Sequence, residues 1–131
     1  MNSTPDILTD YAASDFIEQM RDAVMLVDLY GNILACNHEL CIRTGFSREE
    51  LVGATPGIWH QSDENYGDMT REIISATLTS GFWRGLVPFQ STSGVSRVSE
   101  VLTTPFRDNA GNVVAILSVS RDVTSEVQPK P

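Results

Sequence analysis

Lysine is almost absent from this 131-residue chain. Lys130 is the only one, and lysine and arginine together number 9 against 17 aspartates and glutamates. The net charge of −8 repels a phosphate backbone, and no Lys/Arg cluster overcomes that repulsion. Nucleic acid is therefore not an expected partner, and neither is an anionic membrane surface. Nor is there an apolar run of ~18 residues that would span a bilayer. Residues Met1 to Asp10 lack the basic and apolar stretches of a signal peptide, which gives a cytoplasmic expectation. Cysteine is scarce: Cys36 and Cys41 are neither in Cys-x-x-Cys spacing nor beside a histidine pair, so no metal site is expected. Two reduced, partly buried thiols are favoured over a disulfide. Histidine occurs only at His38 and His60, and no G-x-S-x-G, H-E-x-x-H or P-loop motif is present. No catalytic residues are assigned, and an enzyme is not expected.

Hydrophobic residues make up 41% of the chain, enough for one globular domain. Residues 1–12 read as a flexible leader, 13–126 as the domain, and 127–131 as the start of a linker. Ala13, Phe16, Ile17 and Met20 fall three and four apart, on one face of a short helix that packs on the domain or on a second copy of itself. Val24 to Asp28 and Ile33 to Cys36 are short strand-like runs joined by a turn at Leu29-Tyr30-Gly31-Asn32. Asn37 is a good N-cap for the helix that carries Leu40, Cys41 and Thr44, and Gly45 is placed to end it. Ser47-Arg48-Glu49-Glu50 has the form of a capping box, with Gly53 as the stop. Tyr66 to Leu78 holds helical spacing for three turns and ends at Gly81. Three longer strands follow, over Phe82 to Gln90, Ser96 to Thr104 and Val113 to Arg121. The D-x-x-G-N turn occurs at Asp28 and again at Asp108.

Two strands, a group of helices and three strands, with short joins between strands, predict an α+β domain. Its sheet is antiparallel and its helices lie on one face, enclosing a concavity where a small ligand would sit.

The stretches AVMLVDLYGNILACNHEL, TGFSREELVG, SGFWRG and TTPFRDNAGNVVAILSVSRDVTSE resemble, in order and spacing, the motifs of the PAS sensory-domain family. The resemblance covers about Ala13 to Glu126. It implies a five-stranded antiparallel sheet of order 2-1-5-4-3 with helices over one face. The implied role is signal sensing inside a sensor histidine kinase, a cyclic-dinucleotide enzyme or a chemoreceptor. Asp122-Val123-Thr124 is similar to the family's Asp-x-Thr exit, where the last strand hands over to an effector-coupled helix. Asp122 and Thr124 are thus the expected signal relay, and either can also cap a new helix on physical grounds.

The resemblance further implies FAD as the first cofactor to consider, with Trp83 as an aromatic wall and His60 and Asp63 as polar contacts; haem ranks second. The light-oxygen-voltage branch needs a reactive cysteine before the long helix, and Trp59 to Asp63 contains none. Trp83 also reads as a structural aromatic joining helix to sheet. Glu100 shares a strand face with Val98 and Leu102. It contacts a ligand if that face lines the pocket and is a solvent-facing acid if it does not. Arg84 reads as a carboxylate binder or a surface arginine. Thr70, Thr77, Thr103 and Ser118 either line a cavity for a modest polar ligand or bond to nearby carbonyls. The expected partners are an effector domain in the parent chain, a small-molecule ligand and a second copy paired through the N-terminal helix. The alternative is a cofactor-free dimerisation module.

Overall fold

The structure, a computed structural model, describes residues 17–59 and 66–127. Strands β1 (Ala23–Val27) and β2 (Ile33–Cys36) form a hairpin. Helices α1 (His38–Thr44) and α2 (Arg48–Leu51) follow, then a 3-10 turn (Pro56–Trp59) and the long helix α3 (Tyr66–Ser80). Strands β3 (Trp83–Gln90), β4 (Ser96–Arg107) and β5 (Val113–Asp122) complete the sheet, and α4 (Thr124–Val127) begins the exit. The strands lie in the order β2-β1-β5-β4-β3, and every neighbouring pair is antiparallel. Of the expected N-terminal helix, residues 17–19 are described and helical, and the rest lies outside the described residues.

Local chemistry sets the element ends. Asn37 has extended backbone, and its side-chain oxygen accepts from Leu40 N, so α1 starts there. The same oxygen accepts from Val24 N at 3.0 Å, while the amide nitrogen donates to the carbonyls of Ile17 and Asp22 at 2.9 Å. One buried side chain thus joins β1, α1 and the N-terminal segment. Gly45 ends α1 at φ 86°, a conformation that suits glycine. Ser47 and Glu50 cap α2 reciprocally. In both D-x-x-G-N turns the aspartate Oδ1 accepts two backbone N–H groups at 2.9 Å, and the aspartate N–H donates to the asparagine carbonyl. The repeated sequence is repeated turn chemistry.

β4 runs three residues past the expected end at Thr104, to Arg107. Pro105 does not stop it. Pairing with β3 ends at Trp83 opposite Thr103, so from Thr104 onward β4 has β5 alone as a partner and one edge is open. An edge tolerates a residue that cannot donate. Pro88 sits likewise in β3, the outermost strand. At the opposite margin β2 exchanges backbone bonds with the segment after α2, through Ile33 N to Ala54 O and Gly53 N to Ile33 O.

The core lies between the inner sheet face and the helices. Ala23, Ile33, Cys36, Leu40, Leu51 and Phe89 form one buried cluster, and Met25, Cys41 and Phe46 pack on it. Val87 and Val101 form a second cluster, joined by Met69 and Trp83.

Candidate functional site

Alternation along β4 and β5 decides what faces the helices. Ser99, Val101 and Thr103 point inward with Ser118 and Ser120, and with Ala23, Met25 and Val27 of β1. Together with α1 and α3 they enclose a cavity of about 80 Å3. Its walls are mostly apolar, with Met25, Ile73, Ile74, Val101 and Ile116 among them.

The polar groups in this wall are few and placed. Thr77 lies fully buried on α3 and donates its hydroxyl to the Ile73 carbonyl at 2.6 Å. It also meets the Thr103 hydroxyl at 2.6 Å, tying helix to sheet. Thr70 and Thr103 line the cavity and Thr77 stands behind Thr103. Ser118 and Ser99 line it at 5% and 6% exposure, and neither hydroxyl has a hydrogen-bond partner among the described residues. Arg43 enters from α1 with only 11% of its side chain exposed. Its guanidinium donates to the Ser120 carbonyl at 2.8 Å and pairs with Glu39 at 3.3 Å. Arg43 and Ser99 escape a reading of the sequence. A last-turn arginine looks like a solvated helix end, although Arg43 directly precedes the inward-facing Thr44.

Trp83 is half-buried on the inner face and packs on the Val87–Val101 cluster beside Met69. Its ring lies across Gly85: a Cβ at Gly85 would stand 2.7 Å from two ring carbons. The W-x-G spacing therefore gives the indole a flat seat on its own strand. It joins helix to sheet and is not among the residues lining the cavity. Glu100 requires a correction. Because Ser99, Val101 and Thr103 take the inner face, Glu100 is on the outer one, where it pairs with Arg84 at 3.3 Å and Arg121 at 3.7 Å. Arg84 is exposed there. His60 and Asp63 lie outside the described residues.

The floor of the cavity leads directly to the exit. Ser99 sits opposite Asp122 in the β4–β5 register. Asp122 Oδ1 accepts from Thr124 N at 2.9 Å and from the Thr124 hydroxyl at 2.6 Å, while Arg97 holds the other oxygen. Thr124 Oγ1 accepts from Val98 N at 2.9 Å, and Val123 N donates to Val98 O. Burial alone would raise the Asp122 carboxyl, but hydrogen bonds from Thr124 and the Arg97 guanidinium outweigh it and hold it below the ordinary carboxylate range. Arg97, Val98, Asp122 and Thr124 thus clamp the start of α4 onto β4.

Among the described residues no group of three His, Cys, Asp or Glu side chains could hold a metal ion. No helix among them is long and apolar enough to cross a membrane.

The chain matches the family described as PAS fold over residues 13–123. It is 26% identical over 108 residues to a nitrogen fixation regulatory protein of Klebsiella oxytoca, a match that takes in 82% of this chain and 22% of that protein. The chain thus spans about a fifth of the length of that curated relative. Among solved structures, a PAS domain from Colwellia psychrerythraea superposes with a TM-score of 0.75 at 24% identity, covering 87% of this chain and 96% of that one. A light-oxygen-voltage domain studied with a flavin analogue superposes with a TM-score of 0.70 at 19% identity, covering 89% and 88%.

Proposed function

From the premise that the chain belongs to the PAS fold family, we propose that it is a non-catalytic sensory domain of a larger signalling protein, binding a small colourless molecule and relaying its presence through Asp122-Val123-Thr124. One observation carries this reading: the cavity wall and the exit clamp are the same pair of strands. Ser99 faces the cavity while its register partner Asp122 and its neighbour Val98 hold Thr124. A ligand that shifts β4 against β5 therefore acts on α4 within one residue pair. It biases the output only to the extent that it prefers one of two arrangements of that clamp. The effector is proposed to be a histidine kinase, a cyclic-dinucleotide enzyme or a chemoreceptor signalling region in the parent chain.

Flavin is the weaker reading of the cavity. Clefts that hold cofactor-sized ligands measure roughly 300–1,000 Å3, against about 80 Å3 here. Trp83 is spent on Gly85 and the Val87–Val101 cluster, which leaves Phe89 as the described aromatic in the cavity wall, and haem is larger still. The same small volume favours a second reading, in which the domain serves to dimerise its parent through the helix expected from the sequence over Ala13 to Met20. The test uses the full-length parent: Thr124→Ala should abolish the change in output on ligand addition while leaving ligand affinity unchanged. Equal loss of both, or of neither, would refute the relay. Absorption bands of flavin or haem in the purified protein would refute the colourless ligand.

A further inference from the structure

The hydroxyl chain behind the cavity fixes which way its hydrogens point. A carbonyl oxygen carries no hydrogen, so the 2.6 Å contact between Thr77 Oγ1 and the Ile73 carbonyl consumes the one hydrogen of Thr77. The 2.6 Å contact between Thr77 and Thr103 must then consume the hydrogen of Thr103. Thr103 Oγ1 therefore turns only lone pairs to the cavity. Directly opposite it in the register stands Ser118, buried, lining the same space, with a hydroxyl unpartnered among the described residues. Opposed residues on adjacent strands hold their Cβ atoms about 4.5–5.5 Å apart, so one ligand oxygen can reach both. That oxygen must donate to Thr103 and can accept from Ser118. A hydroxyl does both. A carbonyl does only one and sets its lone pairs against those of Thr103.

Size narrows the class. An apolar cavity of ~150 Å3 accepts benzene, with its six heavy atoms. By that yardstick the cavity of about 80 Å3 takes roughly three to five. Resting on the small-ligand reading above, we infer that the cavity selects a short neutral alcohol, its hydroxyl between Thr103 and Ser118 and its alkyl part against Met25 and Val101. Thr77 does not line the cavity. It is a positioning residue that makes Thr103 an obligate acceptor.

The test compares 2-propanol with acetone, which has the same heavy atoms and no hydroxyl, and with propionate, which Arg43 would favour. Binding is read from amide chemical shifts of the folded domain. Xenon reports whether the cavity admits a guest at all. We expect 2-propanol to shift Thr103 and Ser118 saturably and to bind at least tenfold more tightly than acetone or propionate. Thr103→Val and Ser118→Ala should each weaken 2-propanol, with folding checked by thermal melts. Thr77→Val returns the Thr103 hydrogen to the cavity and should bring the alcohol-to-ketone ratio close to one. If acetone or propionate equals or exceeds 2-propanol in the unmodified domain, or if xenon enters and no alcohol binds, the alcohol inference is overturned while the sensory cavity stands. If neither xenon nor any of the three probes binds, the small-ligand reading falls as well.

Discussion

Replacing Thr124 by alanine should destabilise the domain by an amount that can be worked from its bonds. The hydroxyl donates to a charged carboxylate at 2.6 Å and accepts the Val98 N–H at 2.9 Å. A neutral bond contributes about 1 kcal/mol net and a bond to a charged group about 1.5–3 kcal/mol. Asp122 keeps the Thr124 N–H and Arg97 as partners, and 19% of its side chain meets water, which offsets part of the loss. The expected cost is about 2 kcal/mol, or a fall in Tm of roughly 6–12 °C for a domain of this size. Thr124→Ser, which retains the hydroxyl, should recover most of it. Far-UV circular dichroism melts and urea titrations measure both. The sign with pH follows from Asp122, whose folded-state pKa lies below its unfolded value. Its contribution is present above the unfolded pKa of about 3.9 and is lost as pH falls through the lower folded value. The gap between the native protein and Asp122→Asn should accordingly be full near neutrality and close in acid. A Thr124→Ala melt within 2 °C of the native one (about 0.5 kcal/mol), or a gap that widens on acidification, would refute the clamp.

Three further outcomes are expected. Gly85→Ala forces a methyl against the Trp83 ring and should cost about 1–3 kcal/mol with a shift in tryptophan emission; an unchanged midpoint and spectrum would remove the indole from its seat. Asn37→Ala deletes a 99%-buried side chain with four bonds and should cost about 2–4 kcal/mol, read from urea midpoints at constant m; a loss under 1 kcal/mol would mean water replaces it. Burial, reinforced by neighbouring Cys41 and against the pull of Arg48, pushes the Cys36 thiol up to about 11. Cys36 should therefore resist alkylation at pH 8 until the chain is unfolded, as peptide mass mapping would show, and rapid labelling of the folded protein would contradict that placement.

Much of the fold was legible because the turn and cap residues speak locally. The cap bonds of Asn37, Gly45 and Ser47 and the side-chain bonds of the two D-x-x-G-N turns reach residues within four positions, so their meaning survives without tertiary knowledge, whereas the bonds from Asn37 to Ile17, Asp22 and Val24 do not announce themselves locally. The phase of β4 was not legible. Period two separates Val98, Glu100 and Leu102 from Ser99, Val101 and Thr103, but both sets mix polar and apolar residues, so neither advertises itself as the inner one. Glu100 fell on the outer face because the neighbouring β3 commits Val87 and Phe89 inward, and cross-strand register then fixes Ser99 opposite Val87. Arg43 was hidden for a related reason. Its partner is a carbonyl 77 residues away, and no local pattern reports such a bond.

Both margins of the sheet carry features that oppose recruitment of a foreign strand. On one side Ile33 of β2 has already spent its N–H and carbonyl on residues 54 and 53; on the other, Pro88 and Pro105 each remove a donor that an incoming strand would need. Edge-to-edge pairing of two copies of this domain is thereby disfavoured. Association of this domain is steered instead toward side chains on helices and sheet faces, where sequence dictates the choice of neighbour.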